Sequence, residues 1–319
     1  MSSFSVALLG IAHVHVGDHL DVIEADPGLR LTAVWDPDQE RTRSLEPELV
    51  VADPVTAATR ADIVVVDSVT SAHVELVPVA AAAGKAVFVE KPLGRSGAEA
   101  QALAAAIDRA GVPFATGFFL RCLPALRRAR ALLQEGRLGR LVSAHARFSH
   151  PGLDDGAFAG PTAWMLDPDE AGMGGFGDLG THLLDALSWL RPGHRLEVEH
   201  ARVVTAAGVR SDVGGSALLS WDDEVPAAVH TSWLARPGGL HLALEGTAAT
   251  ATVQDGTLTL TGGRSQSWTD EPPDARRALQ AFVADLRGQP AWEAPSTSQA
   301  VRVARLLDEA QRMADSSLP

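Results

Sequence analysis

The sequence predicts an α/β protein in two parts. A doubly wound parallel sheet comes first, and a region combining helices with an open, mostly antiparallel sheet follows. Three observations carry this expectation. From residue 4 to 119, short apolar runs alternate with helical segments, the pattern of βαβ units. After Leu120 a basic helix, a loop-rich stretch and one long helix lead into a succession of β-like runs separated by turn residues. The polar residues that interrupt the first half fall where apolar runs end: Asp36, 68–70, Glu90-Lys91-Pro92 and 118–121. In parallel sheets, ligands bind beyond those carboxyl ends. The boundary is expected at residue 120, giving domains 1–120 and 121–319.

The first elements are Phe4–Leu9, ending at Gly10, a helix over 15–25, and a second strand over 31–35 ending at Asp36. This strand–turn–helix–strand order suits dinucleotide binding. The glycine fingerprint G-x-G-x-x-G reads Gly10-Ile11-Ala12-His13-Val14-His15, with alanine at the second glycine and histidine at the third. A carboxylate at Asp36 would accept hydrogen bonds from ribose hydroxyls and repel a 2′-phosphate, which favours NAD; Asp38 adds to the repulsion. Arg41 and Arg43, expected at exposed helical positions, leave NADP possible. The competing reading is that Asp36-Pro37 starts a turn. His13, His15 and His19 read as a polar helix start and not as a metal site, since no acidic or cysteine partner is spaced with them.

Strands are expected over 63–67, 86–89 and 114–119, and helices over 72–83 and 96–110 with stops at Gly84 and Gly111. In the second half, a helix covers 124–135, a half-exposed strand 141–148 and a loop-rich stretch 149–175. Strands follow over 197–206, 215–221, 227–233, 241–245, 250–254 and 257–261, and helices over 274–286 and 298–315. No internal repeat is visible.

Composition narrows the function. A net charge of −13 argues against nucleic-acid and anionic-membrane surfaces. The single cysteine, Cys122, excludes disulfides and cysteine zinc sites within the chain. There is no basic leader and no long apolar run, so no signal peptide or membrane span is expected and a cytoplasmic setting fits. Tyrosine is absent, and only Lys85 and Lys91 are lysine, so 25 of the 27 basic residues are arginine. A lysine kept in such a chain suggests a need for a compact, titratable cation.

Residues 174–190 read as a glycine-rich turn running into an amphipathic helix. Leu179, Leu183, Leu187 and Leu190 share one face, and Asp178, His182 and Asp185 share another. A carboxylate one turn below an imidazole can hold its tautomer for general acid/base work. The glycines would leave room for a ligand near the backbone. The plain alternative is a helix with a polar side.

Glu90-Lys91-Pro92 after Ala86–Val89, and Gly175-Phe176-Gly177-Asp178-Leu179-Gly180-Thr181-His182-Leu183-Leu184-Asp185 about ninety residues later, together resemble the glucose–fructose oxidoreductase / inositol dehydrogenase / MocA family across the whole chain. The resemblance implies a Rossmann domain followed by an α/β domain through whose sheet members associate, as homodimers or homotetramers. It implies NAD(P)-dependent oxidoreduction of sugars, inositols or related polyols. Carried over by position, Lys91 would polarise the substrate oxygen, His182 would be the acid/base, and Asp178 would orient it. Pro92, after a cis bond, would shape the turn near the nicotinamide. The cofactor would meet Gly10, Ile11, Ala12, His13, Asp36, Ser68, Val69, His73 and Glu90-Lys91-Pro92. Lys91, Asp178 and His182 would also contact the substrate, and loop placement or helix face in this sequence adds Arg121, His150, Trp164 and Asp185. Asp67 departs from the family pattern. A redox-neutral NAD-dependent glycoside hydrolase and a catalytically silent nucleotide- and sugar-binding regulator remain alternative readings.

Overall fold

The computed structural model describes residues 2–290 and 292–316. The chain divides into two compact, discontinuous units. One holds the residues up to Phe118 together with Phe158–Gly172 and Ala275–Arg305; the other holds Phe119–Ala157, Met173–Asp274 and the chain from Leu306.

In the first unit, β1 (Phe4–Leu9), β2 (Leu29–Trp35), β3 (Ile63–Val66), β4 (Ala86–Val89) and β5 (Phe114–Thr116) form a parallel sheet in the order β2-β1-β3-β4-β5. Every residue of β3 and β4 is buried, which is why both read as unbroken apolar runs and not as alternating ones. Helices Val16–Ala25, His73–Ala82 and Gly97–Ala110 follow β1, β3 and β4. Ser96 caps the last of these by accepting the Glu99 N–H, and Gly84 and Gly111 stop their helices with φ of +68° and +63°.

Two details differ from the sequence expectation. A short helix, Pro54–Thr59, is capped by the Asp53 side chain, which accepts the Thr56 N–H. The fifth strand stops at Thr116 instead of running to 119, and Phe119–Cys122 is a 3₁₀ turn. The stop coincides with Gly117, where a Cβ would lie 2.8 Å from the Glu90 carboxylate.

In the second unit, β6 (Leu141–Ser149), β7 (Leu196–Thr205), β8 (Asp212–Trp221), β9 (Pro226–Ser232), β10 (Gly239–Gly246), β11 (Thr250–Gln254), β12 (Thr257–Thr261) and β13 (Gln266–Thr269) form one sheet. The order is β13-β12-β11-β10-β6-β9-β8-β7, and β6–β9 is the parallel pair in an otherwise antiparallel ladder. The edge strand β13 is short, polar and mostly exposed, so it carries no burial pattern to read in sequence. Helix Gly175–Leu190 packs on β6, β8 and β9. All its residues except Asp178 and Ser188 are buried, so its polar side is not a solvated face.

The stretch expected as loop at 149–175 contains a 3₁₀ helix, Gly160–Leu166, and a short helix, Pro168–Ala171, both in the first unit. Helix Arg276–Leu286 also belongs there, packed on Val16–Ala25 and β5.

Candidate cofactor and catalytic sites

The loop after β1 is built on its own unit's backbone. Gly10 has φ +80°, and a Cβ on it would lie 2.4 Å from the Ser68 Cβ, so glycine is required there. The Ile11 N–H donates to Asp36 Oδ2 at 2.8 Å, and the Ala12 and His13 N–H groups donate to the Asp67 carbonyl at 3.1 and 3.0 Å. Asp36 Oδ1 also accepts the Asp38 N–H at 2.8 Å and Arg41 Nη1 at 3.2 Å. The turn reading of Asp36 and the bracing of the loop are thus both present in one buried carboxylate. Arg41 lies against it, contrary to the exposed position expected; Arg43 is exposed and pairs with Glu40. An open groove of about 570 Å³ runs beside Asp36, lined by Trp35, Pro37, Gln39, Thr42 and 50–52.

The three histidines are not a solvated helix start. His13 and His19 are buried, and acidic partners arrive from the ends of β3 and β4. His19 Nδ1 is 2.8 Å from Asp67 Oδ2, and its Nε2 is 3.4 Å from Glu90 Oε1. His15 Nδ1 is 3.2 Å from Glu90 Oε1, and His13 Nε2 is 3.7 Å from Glu90 Oε2. Burial alone would lower the His19 pKa, but the Asp67 and Glu90 carboxylates reverse this and raise it to about 9. Burial likewise works against an ionised Glu90, yet the surrounding imidazoles hold its carboxyl well below the usual range. Among the described residues, His13, His15 and Glu90 bring ligating atoms within 4.8 Å of one another, as do His19, Asp67 and Glu90. No spacing signal marks this cluster, because Asp67 and Glu90 are far from the histidines in the chain. The visible clue was Asp67 itself, a charged residue ending an apolar strand.

Glu90 Oε2 accepts the Lys91 N–H at 2.9 Å, and the Lys91–Pro92 bond is cis. Lys91 is 3% exposed at the carboxyl end of β4. His73 is buried; its Nδ1 lies 3.1 Å from the Leu93 carbonyl, and burial lowers its pKa to about 4, so the neutral ring donates to that carbonyl. His73 therefore anchors the turn after Pro92. Ser68 Oγ donates to the Val69 carbonyl at 3.0 Å beneath Gly10. Trp164, expected at the substrate, donates its indole N–H to the Ala12 carbonyl at 2.9 Å, on the cofactor loop.

The second unit holds Arg121, His150, Asp178, His182 and Asp185. His182 is buried, with its ring 4.4 Å from Phe119 and 6.0 Å from Phe148 between centroids. Asp178 Oδ2 accepts the Trp233 indole N–H at 2.9 Å and lies 3.9 Å from His150 Nε2. Arg121 and Asp185 hold each other in a buried bidentate pair, Nε–Oδ2 2.8 Å and Nη2–Oδ1 2.5 Å. That pairing fixes both side chains against each other within the unit.

Asp212, which the sequence did not flag, caps the helix carrying Asp178 and His182. It accepts the N–H groups of Gly174 (2.8 Å), Phe176 (2.6 Å) and Gly214 (3.1 Å). The glycines before this helix were expected to admit a ligand. Instead they admit the protein's own β8: a Cβ on Gly174 would sit 2.0 Å from the Asp212 carbonyl, and one on Gly175 2.5 Å from Val213.

The first unit is thus a dinucleotide-binding α/β fold, and the second carries a buried imidazole on a capped helix. Residues 4–118 match the oxidoreductase family with an NAD-binding Rossmann fold, and residues 126–252 match the GFO/IDH/MocA C-terminal domain. The chain belongs to the GFO/IDH/MocA family of oxidoreductases. It is 28% identical over 256 residues to the 1,5-anhydro-D-fructose reductase of Ensifer adhaerens, covering 76% of this chain and 72% of that one. It is 34% identical over 131 residues to the levoglucosan dehydrogenase of Pseudarthrobacter phenanthrenivorans, spanning 40% of this chain and only 33% of that enzyme. Among solved structures, GenD2 from gentamicin A biosynthesis in complex with NAD superposes with a TM-score of 0.82 at 25% identity, covering 100% of this chain and 96% of that one. The residues present fit NAD: Gly10, the acid that follows β2 and the groove beside it lie at the ends of the parallel strands. No helix among the described residues is long and apolar enough to cross a membrane.

Proposed function

We propose that the chain is an NAD-dependent dehydrogenase or reductase acting on a secondary alcohol or the matching ketone of a sugar, inositol or related polyol. When bound, the nicotinamide supplies the hydride acceptor or donor. Lys91 holds an ammonium at the substrate oxygen and stabilises the charge that develops there. His182 takes or returns the hydroxyl proton at an imidazole nitrogen, and Asp178, fixed by Trp233, orients it. Gly10, Ile11, Ala12, His13, Asp36, Ser68 and Val69 hold the cofactor, with Glu90 and Pro92 shaping the turn that presents Lys91 and His73 anchoring that turn. Cofactor binding is assigned to 1–120 and substrate binding to 121–319. The observation that carries the reading is a lysine, in a chain with two, buried at the carboxyl end of a parallel strand. The names of the relatives, a sugar dehydrogenase and an anhydrosugar reductase, support the substrate class.

Self-association through the eight-stranded sheet is part of the same proposal. A groove on that sheet brings Leu218, 56% exposed, beside His145, Arg147, Ser216, His230 and His241.

The test is calorimetric titration with NAD and NADP, then a polyol screen followed by NADH absorbance. NAD binding tighter than NADP is expected, with Gly10→Ala abolishing it. Lys91→Met and His182→Asn should each lower kcat by roughly 10²–10⁴, and His182→Asn should leave NAD affinity unchanged. Absence of NAD binding by the wild type would refute the proposal, and full turnover by Lys91→Met would refute the role of that residue.

A further inference from the structure

Beyond that reading, and resting on it, one buried group in the first unit is unaccounted for. His19 is fully buried on the helix that follows the cofactor loop. It touches two carboxylates at once, Asp67 at the end of β3 and Glu90 at the end of β4. These strand ends form the rim at which a doubly wound sheet receives its ligand. Both carboxylates are buried, Asp67 at 0% and Glu90 at 1% exposure. Unneutralised, they would repel the diphosphate of a dinucleotide and destabilise their own surroundings.

We propose that His19 is a positioning residue of the cofactor site that acts by charge. Its imidazolium offsets one of the two negative charges of Asp67 and Glu90, so that the loop and the Glu90-Lys91-Pro92 turn can accept an anionic ligand. The loop depends on the residue that His19 holds, because the Asp67 carbonyl receives the Ala12 and His13 N–H groups. The Lys91 N–H rests on the other carboxylate. The departures from the glycine pattern and the charged end of β3 then become one compensated set: the acid at 67 is tolerated because a cation stands against it.

The experiment compares ADP-ribose, which carries the diphosphate, with adenosine, which does not, by calorimetry on the full chain. His19→Gln removes the charge and keeps a polar side chain. It should weaken ADP-ribose about tenfold and adenosine less than about twofold. His19→Gln/Asp67→Asn restores the net charge and should return ADP-ribose affinity to within about threefold of wild type. Asp67→Asn alone keeps the cation and should bind ADP-ribose at least as tightly as wild type, which preserves the test if His19→Gln folds poorly. Equal loss of both ligands, no loss, or no rescue in the double variant would overturn the proposal and leave His19 a packing residue. Stoichiometric zinc binding by the wild type that is lost in His15→Ala would overturn it by assigning the cluster to a cation. If wild type binds neither NAD nor ADP-ribose, the functional reading falls and this inference with it. An unchanged His19→Gln overturns this inference alone.

Discussion

Asp212→Ala removes the cap of helix Gly175–Leu190. Three backbone N–H groups lose their acceptor, those of Gly174, Phe176 and Gly214, at a residue 8% exposed. Two of them belong to the helix start, where no intrahelical partner exists. Each buried donor left unmade is worth about 1–3 kcal/mol. The gain is partly offset in the wild type: burial raises the Asp212 carboxyl pKa, and the three donors only partly reverse that. The low part of the summed range is therefore expected, about 3 kcal/mol. For a unit of this size that is a fall in Tm of roughly 6–12 °C. Asp212→Asn keeps one acceptor oxygen and should lose about half as much. Urea unfolding followed by circular dichroism measures both, with thermal melts as a check. Asp178 and His182 lie within the first eight residues of this helix, so kcat should fall in Asp212→Ala at temperatures where the chain is still folded. An Asp212→Ala protein within about 0.5 kcal/mol of wild type would refute the reasoning, since a cap alone is normally worth more.

Two further outcomes follow from the buried ionic groups. The His19 pKa is raised from 6.5 to about 9, so its contribution is complete below about 6.5 and is lost as pH rises through about 9. Unfolding free energy should drop by up to an order of 3 kcal/mol across that window, and His19→Gln should flatten the drop; a wild-type curve level to above pH 9 would contradict it. Arg121→Met strands Asp185 as an uncompensated buried charge and should destabilise by about 3–5 kcal/mol, while Arg121→Met/Asp185→Leu should recover most of it. Additive losses in denaturant titrations of the single and double variants would show that the two do not act as a pair.

Much of the fold was legible in local pattern. Apolar runs at 63–67 and 86–89 became buried parallel strands, and Gly84 and Gly111 ended helices as their φ freedom allows. The antiparallel strands of the second half were found because alternation survives where one face is buried. β13 was missed because it buries almost nothing, and Pro54–Thr59 because it is too short to show a period. The two motifs that hold Lys91 and His182, the residues of the proposed chemistry, were readable because each is contiguous in the chain.

What the sequence determined by itself were the elements and the residues with distinctive chemistry: one glycine after β1, one acid after β2, a lysine beside proline, and an aspartate and a histidine one turn apart. Their partners came from the three-dimensional packing. It gave Asp36 to the Ile11 N–H, Trp164 to the Ala12 carbonyl, Arg121 to Asp185, and the glycines of the long helix to β8. It also turned three histidines that read as a polar surface into a buried cluster with Asp67 and Glu90. Periodicity reports the face a residue occupies on its own element. A buried charge needs a specific opposite charge within a few ångströms, and which strand end delivers it is set by the order of the sheet, which no local spacing encodes.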